Sequence, residues 1–382
     1  EERYWFRILS LIISLTATVF LFGFVYLISR NSLAIAAIAI LYYLTSTTFL
    51  AYADSLANQP LDDFFKYLIL FLSSLLLFKI DKPSLTRKTK WLIWFLYFLL
   101  AISSYDSTFF VFIWLCLSDF WNKHGLAIKK YIFWATAPLF AFFLQILQNT
   151  WYLGWEDMLK DVWGTIAFRS NETSSALSYL PWYFKRVAAS LSNIGYLLDV
   201  QTRYALPIVI ILVFLLWRNN VLSRRTWGII SVLMFGGLVF PFLLPIAGGF
   251  GYQGRQIVPA ISLLVAFTTY ASTNFIRKKR VTLLTWSLVI LCVIIWAWRI
   301  QSTIGYLIKP SPYNIPKEEV NYWSTVKSLT NQDTIVLSLG DKGSRNFFDQ
   351  FYADRLILDF KDYNILLKSM DRITQVLPNQ KD

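Results

Sequence analysis

Residues 61–104 of the chain are LDDFFKYLILFLSSLLLFKIDKPSLTRKTKWLIWFLYFLLAISS, and their pattern indicates the architecture of the whole protein. Two apolar runs, Leu61–Phe78 and Trp91–Ser104, flank the segment Lys79–Lys90, which is rich in lysine and arginine. A helix needs about 20 apolar residues to cross a bilayer; Leu61–Phe78 has about this length, whereas Trp91–Ser104 is shorter and would be tilted, partly buried or continued by polar turns. Short loops rich in lysine and arginine stay on the cytoplasmic side. The stretch therefore predicts two helical segments in the membrane, joined by a cytoplasmic loop.

The same pattern extends over the whole chain. Hydrophobic residues make up 56% of the 382 residues and charged residues only 15%, whereas a soluble domain has about 25% charged residues. The other long apolar stretches are Ile8–Ser29, Leu33–Ala53, Tyr131–Trp155, Thr226–Pro245, Gln256–Ile276 and Val281–Trp298, and the shorter ones are Ser107–Ser118 and Tyr204–Trp217. We therefore predict an all-α polytopic protein of the plasma (inner) membrane with about ten transmembrane helices.

The formal net charge of +13 invites a nucleic-acid interpretation, but its distribution argues against one. The positive charges are concentrated in four short segments: Lys79–Lys90, Lys123–Lys130, Arg218–Arg225 and Arg277–Arg280. These loops alternate with neutral or acidic loops, which is typical of a protein that retains its basic loops in the cytoplasm. We expect the positive charge to set the topology and contact lipid headgroups, with no nucleic-acid partner.

The chain is predicted to have two domains, a transmembrane domain at 1–308 and a small extracytoplasmic α/β domain at 309–382. Prolines at 310, 312 and 316 indicate a linker between them. Beyond the linker, Thr334–Leu339 and Leu356–Phe360 have the composition of strands, and Asn346–Asp354 between them is typical of a short helix.

Residues 154–203 form a long region that charge alternation places on the non-cytoplasmic side of the membrane. Apolar residues at helical spacing, beginning at Trp155 and Met158, predict amphipathic helices that lie in the membrane interface. Such helices either cap the helical bundle or cover a cavity into which a lipid-linked substrate enters sideways. In the second interpretation, Trp155, Trp163 and Arg169 line the cover of that cavity and contact an acceptor.

Acidic residues follow or open several predicted spans on the outer side, namely Asp54, Asp62, Asp63 and Asp106. Ionisable groups near the bilayer interior are costly unless they are used or paired. Aspartate is also a common capping residue at helix starts, which is an alternative role for the first three. Asp106 lies within Ser-Tyr-Asp-Ser, in the middle of an apolar run, where capping is a weaker explanation.

Arg255 is the sharpest single candidate for a binding residue. It carries the only charge between Arg225 and Arg277, and it lies on the predicted outer side, against the usual bias. Glycines at 248, 249, 251 and 254 precede it and allow the backbone to approach a ligand. A guanidinium binds phosphate with a planar, bidentate geometry. The alternative is an arginine that only anchors the helix end at the interface.

The remaining chemistry-bearing residues indicate no cofactor and no metal. Cys116 and Cys292 both lie in apolar stretches and are predicted to be packing residues. The single histidine, His124, lies in a basic loop. No metalloprotease, zinc-finger, phosphate-loop or nucleophile-elbow motif is present in the sequence.

Taken in order, several segments resemble the GT-C glycosyltransferases, the superfamily of the protein O-mannosyltransferases and aminoarabinose transferases. The segments that carry the resemblance are Phe49–Asp54 followed by Asp63–Phe65, the broken run Trp91–Leu117, the loop Gly251–Pro259, and Phe351–Arg355 in the tail. The resemblance covers most of the chain, and it lies in the order of these segments.

The resemblance implies that a sugar is transferred from a polyprenyl-phosphate donor to an acceptor protein, glycan or lipid on the outer face of the membrane. Arg255, Tyr252 and Gln256 would then bind the donor phosphate, and Asp54 and Asp106 are weaker candidates for the catalytic carboxylate. GT-C enzymes carry their catalytic acid in a loop after a first span, and this sequence shows no such loop. We therefore expect that an upstream span is missing and that the catalytic base is lost with it. If this chain is active instead, the base lies among Asp54, Asp63 and Asp106. A lipid or lipid-linked-sugar transporter, or a non-catalytic membrane subunit, are the alternative functions.

Overall fold

The computed structural model describes residues 2–46, 49–50, 53, 59–78, 83–117, 128–160, 162, 224–243, 256–277, 283–308, 317–331, 335–339 and 356–360. The chain divides into two compact units, Glu1–Lys309 and Pro310–Asp382. In the first unit, the described helices are α1 (Glu2–Ile28), α2 (Leu33–Leu44), α3 (Gln59–Phe78), α4 (Pro83–Ser103), α5 (Tyr105–Leu117), α6 (Ile128–Leu153), α7 (Arg224–Leu243), α8 (Val258–Arg277) and α9 (Leu283–Ile308).

Local sequence explains where several of these helices begin. Arg30 and Asn31 both have positive φ angles, 58° and 64°, and they turn the chain between α1 and α2. Ser32 then caps α2, because its side chain accepts a hydrogen bond from the Ile35 amide. Prolines occupy the first turns of α3 and α4, at positions 60 and 83, where the missing amide hydrogen has no helical partner to lose.

Two of the described helices, in the segments Trp5–Ile28 and Tyr131–Leu153, are long and apolar enough to cross a membrane. Shorter apolar helical segments occur at Leu33–Leu44, Ser107–Leu117, Thr226–Gly237 and Val258–Tyr270. The first unit therefore has the helical character expected of a membrane protein. The number of about ten spans and their direction across the bilayer stay predictions.

The helix boundaries differ from the predicted spans in two places. The span predicted at Leu33–Ala53 ends early, because α2 stops at Leu44 and the Ser46 hydroxyl accepts a hydrogen bond from the Phe49 amide at 3.0 Å, in a separate turn. The basic segment predicted as a loop at Lys79–Lys90 is helical from Pro83 onward, as the first turns of α4. The apolar run that begins at Trp91 was predicted to be broken, and it forms parts of two helices, α4 and α5. Ser104 is the single residue between them.

The core of the first unit lies where α1 packs on α3, and α5, α7 and α8 extend it. Phe24 of α1 contacts Trp114 of α5 edge to face, with ring centroids 5.3 Å apart. The Trp114 indole donates a buried hydrogen bond to the Ser73 hydroxyl of α3 at 2.7 Å. α1 and α3 approach closely because Gly23 has no side chain, and a Cβ there would lie 2.7 Å from the Phe71 ring.

The second unit contains α10 (Lys317–Leu329) and two parallel strands, β1 (Ile335–Leu339) and β2 (Leu356–Phe360). Ile335 pairs with Leu356, and the register continues to Leu339 with Phe360. Both strands fall within the segments that the sequence predicts as strands. The helix predicted between them, at Asn346–Asp354, lies outside the described residues.

Candidate functional site

Four helix ends that charge alternation predicts on the non-cytoplasmic side meet around one buried group of polar side chains. They are the end of α2, the start of α3, the break between α4 and α5, and the residues just before α8. We call this group the Lys66 cluster, and its members are Tyr43, Asp62, Asp63, Lys66, Ser103, Ser107 and Gln256.

Lys66 is the centre of the cluster. It lies one turn beyond the two aspartates of α3, and its side chain is fully buried, with 0% exposure. Its Nζ donates to Asp63 Oδ1 at 2.5 Å and to the Gln256 Oε1 at 3.1 Å. A buried ammonium is strongly destabilising without such partners. The ion pair therefore accounts for how a lysine is accommodated within an apolar helix.

Gln256 connects three helices at the start of α8. Its side chain accepts from Lys66 and donates from Nε2 to the Ser107 hydroxyl of α5 at 2.8 Å. Only 1% of the residue is exposed. Its backbone is also confined, because a Cβ on Gly237 of α7 would lie 2.9 Å from the Ile257 Cα and 3.0 Å from the carbonyl carbon of Gln256.

The two aspartates of α3 differ in environment. Asp62 is buried, and its Oδ1 accepts a hydrogen bond from the Ser103 hydroxyl, at the break between α4 and α5, at 2.8 Å. Asp63 keeps 14% of its side chain exposed, and its second oxygen accepts from the Tyr43 hydroxyl at 3.3 Å. Asp63 is therefore the more accessible carboxylate of the cluster.

Aromatic rings form one wall of the cluster. The Tyr43 ring packs edge to face against the rings of Tyr67 and Phe49, with centroids 5.7 Å and 5.4 Å away. Lys66 Nζ also lies 4.8 Å from the Tyr67 ring centroid, within the range of a cation–π contact. These rings reduce the access of water, which strengthens the electrostatic interactions inside.

The chemistry open to this arrangement is acid–base work and hydroxyl recognition. A carboxylate with remaining lone pairs accepts hydrogen bonds from a substrate hydroxyl and can take its proton. Among the described residues there is no group of three or more His, Cys, Asp or Glu side chains that could hold a metal ion.

The structure places only some of the predicted site residues. Gln256 belongs to the Lys66 cluster. Asp106 lies in the first turn of α5, but its side chain is outside the described part of the chain. Trp155 is exposed at the start of a helical stretch, 155–160, in which Met158 is buried. The other predicted residues lie outside the described residues: Asp54, Trp163, Arg169, Tyr252 and Arg255.

Sequence reasoning missed Lys66 and Arg299. Lys66 interrupts an apolar run three residues after Asp63, a spacing that places the two side chains on one helix face, and this signal could have identified the pair. Arg299 of α9 is buried with its guanidinium carbon 3.9 Å from the centroid of the Tyr42 ring. Its signal was a lone charge in a long apolar helix.

An apolar groove lies next to the α4–α5 break. Its volume is about 340 Å³, and its walls come from α4, α5 and α6. Tyr97 of α4, Thr108 of α5 and Pro138 of α6 contribute to these walls, and the Gln145 side-chain amide donates to the Ile102 carbonyl at 3.1 Å near one end. The groove therefore adjoins the break that also contributes Ser103 and Ser107 to the Lys66 cluster.

In comparisons with known proteins, no protein-family model matches this sequence and no curated protein matches it.

Proposed function

We propose that this protein is a membrane glycosyltransferase that takes a sugar from a polyprenyl-phosphate donor on the non-cytoplasmic side of the membrane. The observation that carries the proposal is the Lys66 cluster, in which the Asp63 carboxylate and Gln256 bind the same Lys66 ammonium. Gln256 is the residue that follows Arg255 in the sequence. Transfer needs a carboxylate near the acceptor hydroxyl and a cation near the departing phosphate.

The roles follow from charge and access. Arg255 and Tyr252 bind the donor phosphate, and the arginine stabilises the negative charge that develops on it as the glycosidic bond breaks. A carboxylate removes the proton of the acceptor hydroxyl, and the attack inverts the anomeric centre. Among the cluster carboxylates, Asp63 is the better candidate for this base because part of it is exposed. Asp54 and Asp106 are further candidates.

The apolar groove beside the α4–α5 break is compatible with a lipid-linked donor. Its lining is almost entirely apolar. Ala101 and Thr108 of its walls lie close in sequence to Ser103 and Ser107, which the same break contributes to the Lys66 cluster. The exposed aromatic residue Trp155 lies at the start of the region predicted to cover the site and contact the acceptor.

Binding of a defined lipid tests the proposal directly. The chain in lipid nanodiscs is titrated with a short polyprenyl-phosphate hexose and, as the matched ligand, with the same polyprenol lacking phosphate and sugar. We expect saturable binding of the phosphosugar lipid with at least tenfold preference, about 1.4 kcal/mol. Equal binding of the two lipids would contradict the proposal.

A second candidate function is transport of a lipid or lipid-linked sugar. The observation that favours it is the buried Lys66–Asp63 ion pair within an apolar helix, because intramembrane charge pairs are typical of ion-coupled transporters. Proteoliposomes with a fluorescent lipid-linked sugar in one leaflet distinguish the two functions. A transporter moves the lipid between leaflets without an acceptor, whereas a transferase leaves it in place.

A further inference from the structure

Gln256 was predicted to contact the donor phosphate, but both ends of its amide are already bonded inside the protein. Its oxygen accepts from Lys66, and its nitrogen donates to Ser107. With 1% of the residue exposed, the side chain is directed into the helical bundle. These contacts favour a structural task at the start of α8 over direct contact with a ligand.

The start of α8 is fixed from three directions. Lys66 of α3 and Ser107 of α5 hold the Gln256 side chain, and Gly237 of α7 lies against the backbone at Gln256 and Ile257. The first turn of α8 is closed by the Ile261 amide, which donates to the Ile257 carbonyl at 3.2 Å. Residues 190 positions apart are thus joined by one buried hydrogen bond.

We infer that Lys66 is a positioning residue that acts through Gln256 to fix the first turn of α8, and that donor binding by the preceding residue in the sequence, Arg255, depends on this contact. The phosphate ligand in this inference rests on the proposed function, whereas the contacts of Gln256 with Lys66 and Ser107 are independent of it. The Asp63 carboxylate binds the Lys66 ammonium. The same ammonium also donates a hydrogen bond to the Gln256 side chain. The ion pair therefore does more than neutralise two buried charges, because it also holds the Lys66 ammonium in place for Gln256.

The positioning role explains why the buried charge of Lys66 is placed in α3 although its burial is costly. Replacing a buried ion pair by neutral side chains of similar volume is often neutral or stabilising, so stability alone does not require Lys66. A neutral pair cannot hold Gln256 with a charge-assisted hydrogen bond, which is roughly twice as strong as a neutral one.

The test compares the double variant Asp63→Asn/Lys66→Met with Asp157→Asn/Lys160→Met. The control pair has the same residue types at the same spacing, with its nitrogen and oxygen 2.9 Å apart, but its side chains are 73% and 68% exposed. Two measurements are made on each protein in nanodiscs. One is hydrogen exchange of the peptide Ile257–Leu264, and the other is affinity for polyprenyl phosphate with and without Arg255→Ala.

We expect exchange at the start of α8 to rise at least tenfold in the cluster variant and to be unchanged in the control. Donor affinity should fall about tenfold in the cluster variant, and Arg255→Ala should then cost less than it does in the wild type, because the two changes are coupled. A role in folding alone would not produce that coupling.

Unchanged exchange in Asp63→Asn/Lys66→Met would overturn the inference, as would full additivity with Arg255→Ala. If the cluster variant does not fold, Gln256→Met replaces it, because it removes the acceptor of the Lys66 hydrogen bond and leaves the Lys66–Asp63 ion pair in place. It should likewise raise exchange in this peptide, and unchanged exchange would again overturn the inference. If the wild type does not bind polyprenyl phosphate, the proposed function fails, and the exchange measurement still decides the positioning role.

Discussion

The Arg299 guanidinium carbon lies 3.9 Å from the centroid of the Tyr42 ring, so that α9 is joined to the end of α2 by a buried cation–π contact. The Trp296 ring of α9 also packs edge to face against the Tyr42 ring, with the two centroids 5.7 Å apart. One turn further along α9, the Thr303 hydroxyl donates to the Thr45 carbonyl at 2.9 Å. Three groups of α9 therefore hold the end of α2: the Arg299 guanidinium, the Trp296 ring and the Thr303 hydroxyl.

Replacement of Tyr42 by leucine should reduce the free energy of unfolding by more than replacement by phenylalanine. Leucine removes the aromatic face, and a desolvated cation–π contact contributes about 2 kcal/mol, whereas phenylalanine keeps that face. The measurement is thermal or denaturant unfolding of each variant in the same detergent. Equal losses in the two variants would show that the ring contributes only its volume.

Removal of one partner of the buried ion pair should be much more damaging than removal of both. Lys66→Met leaves Asp63 without its ammonium partner, and breaking a buried pair in this way costs about 3–5 kcal/mol. Asp63→Asn/Lys66→Met should recover most of that stability. The matched variant Lys160→Met lies in an exposed pair and should change the unfolding free energy by less than about 1 kcal/mol. A similar loss for Lys66→Met and Lys160→Met would contradict the buried arrangement.

Three helix glycines should respond to alanine in a graded order. At Gly237 a Cβ meets backbone atoms of α8, and at Gly23 it meets the Phe71 ring, which can shift; at Gly305 nothing lies within 4 Å. Overpacking costs about 1–3 kcal/mol, so Gly237→Ala should be the most destabilising. Gly305→Ala should be neutral or stabilising by up to about 1 kcal/mol, because alanine is the better helix former. Unfolding midpoints measured side by side in detergent give the order, and a loss at Gly305 equal to that at Gly237 would be evidence against the close approach of α7.

The sequence predicted the helical, membrane-type character and the break in the run that begins at Trp91, because hydrophobic length and polar interruptions are local signals. It also placed Asp63 and Gln256 at helix ends on the same predicted side, and the structure joins both to Lys66; the side of the membrane on which they lie stays a prediction. It did not predict that Lys66 joins α3 to Gln256, because a contact between residues far apart in sequence depends on how the helices pack. The early end of α2 was missed for a related reason: Ser46 forms a local hydrogen bond with the Phe49 amide that hydropathy does not register.

The predicted sidedness of the chain is testable with single cysteines in a background that lacks Cys116 and Cys292. Charge alternation places region 154–203 and the tail outside, and Arg218–Arg225 inside. Cysteines at Asn171 and Asn379 should therefore react with an impermeant thiol reagent in intact cells, and one at Asn220 should react only after permeabilisation. Labelling at Asn220 alone in intact cells would reverse the topology.

Substitution of Arg255 tests the predicted phosphate contact. A hydrogen bond to a charged group contributes about 1.5–3 kcal/mol, so Arg255→Ala should weaken binding of a polyprenyl-phosphate sugar by roughly one to two decades. Arg255→Lys keeps the charge but loses the planar, bidentate geometry, and it should recover part of the affinity.

The matched control is Arg299→Lys, because Arg299 is a second arginine of the same unit whose guanidinium is already held against the Tyr42 ring. That variant should lower the melting temperature and leave donor affinity nearly unchanged, since lysine stacks less well on an aromatic face than arginine does. Arg255→Ala should show the opposite pattern, with donor affinity reduced and melting temperature nearly unchanged. Unchanged donor affinity in a folded Arg255→Ala protein would show that this residue only anchors the chain at the interface. The proposal of a phosphate-containing substrate would then lose its support from Arg255.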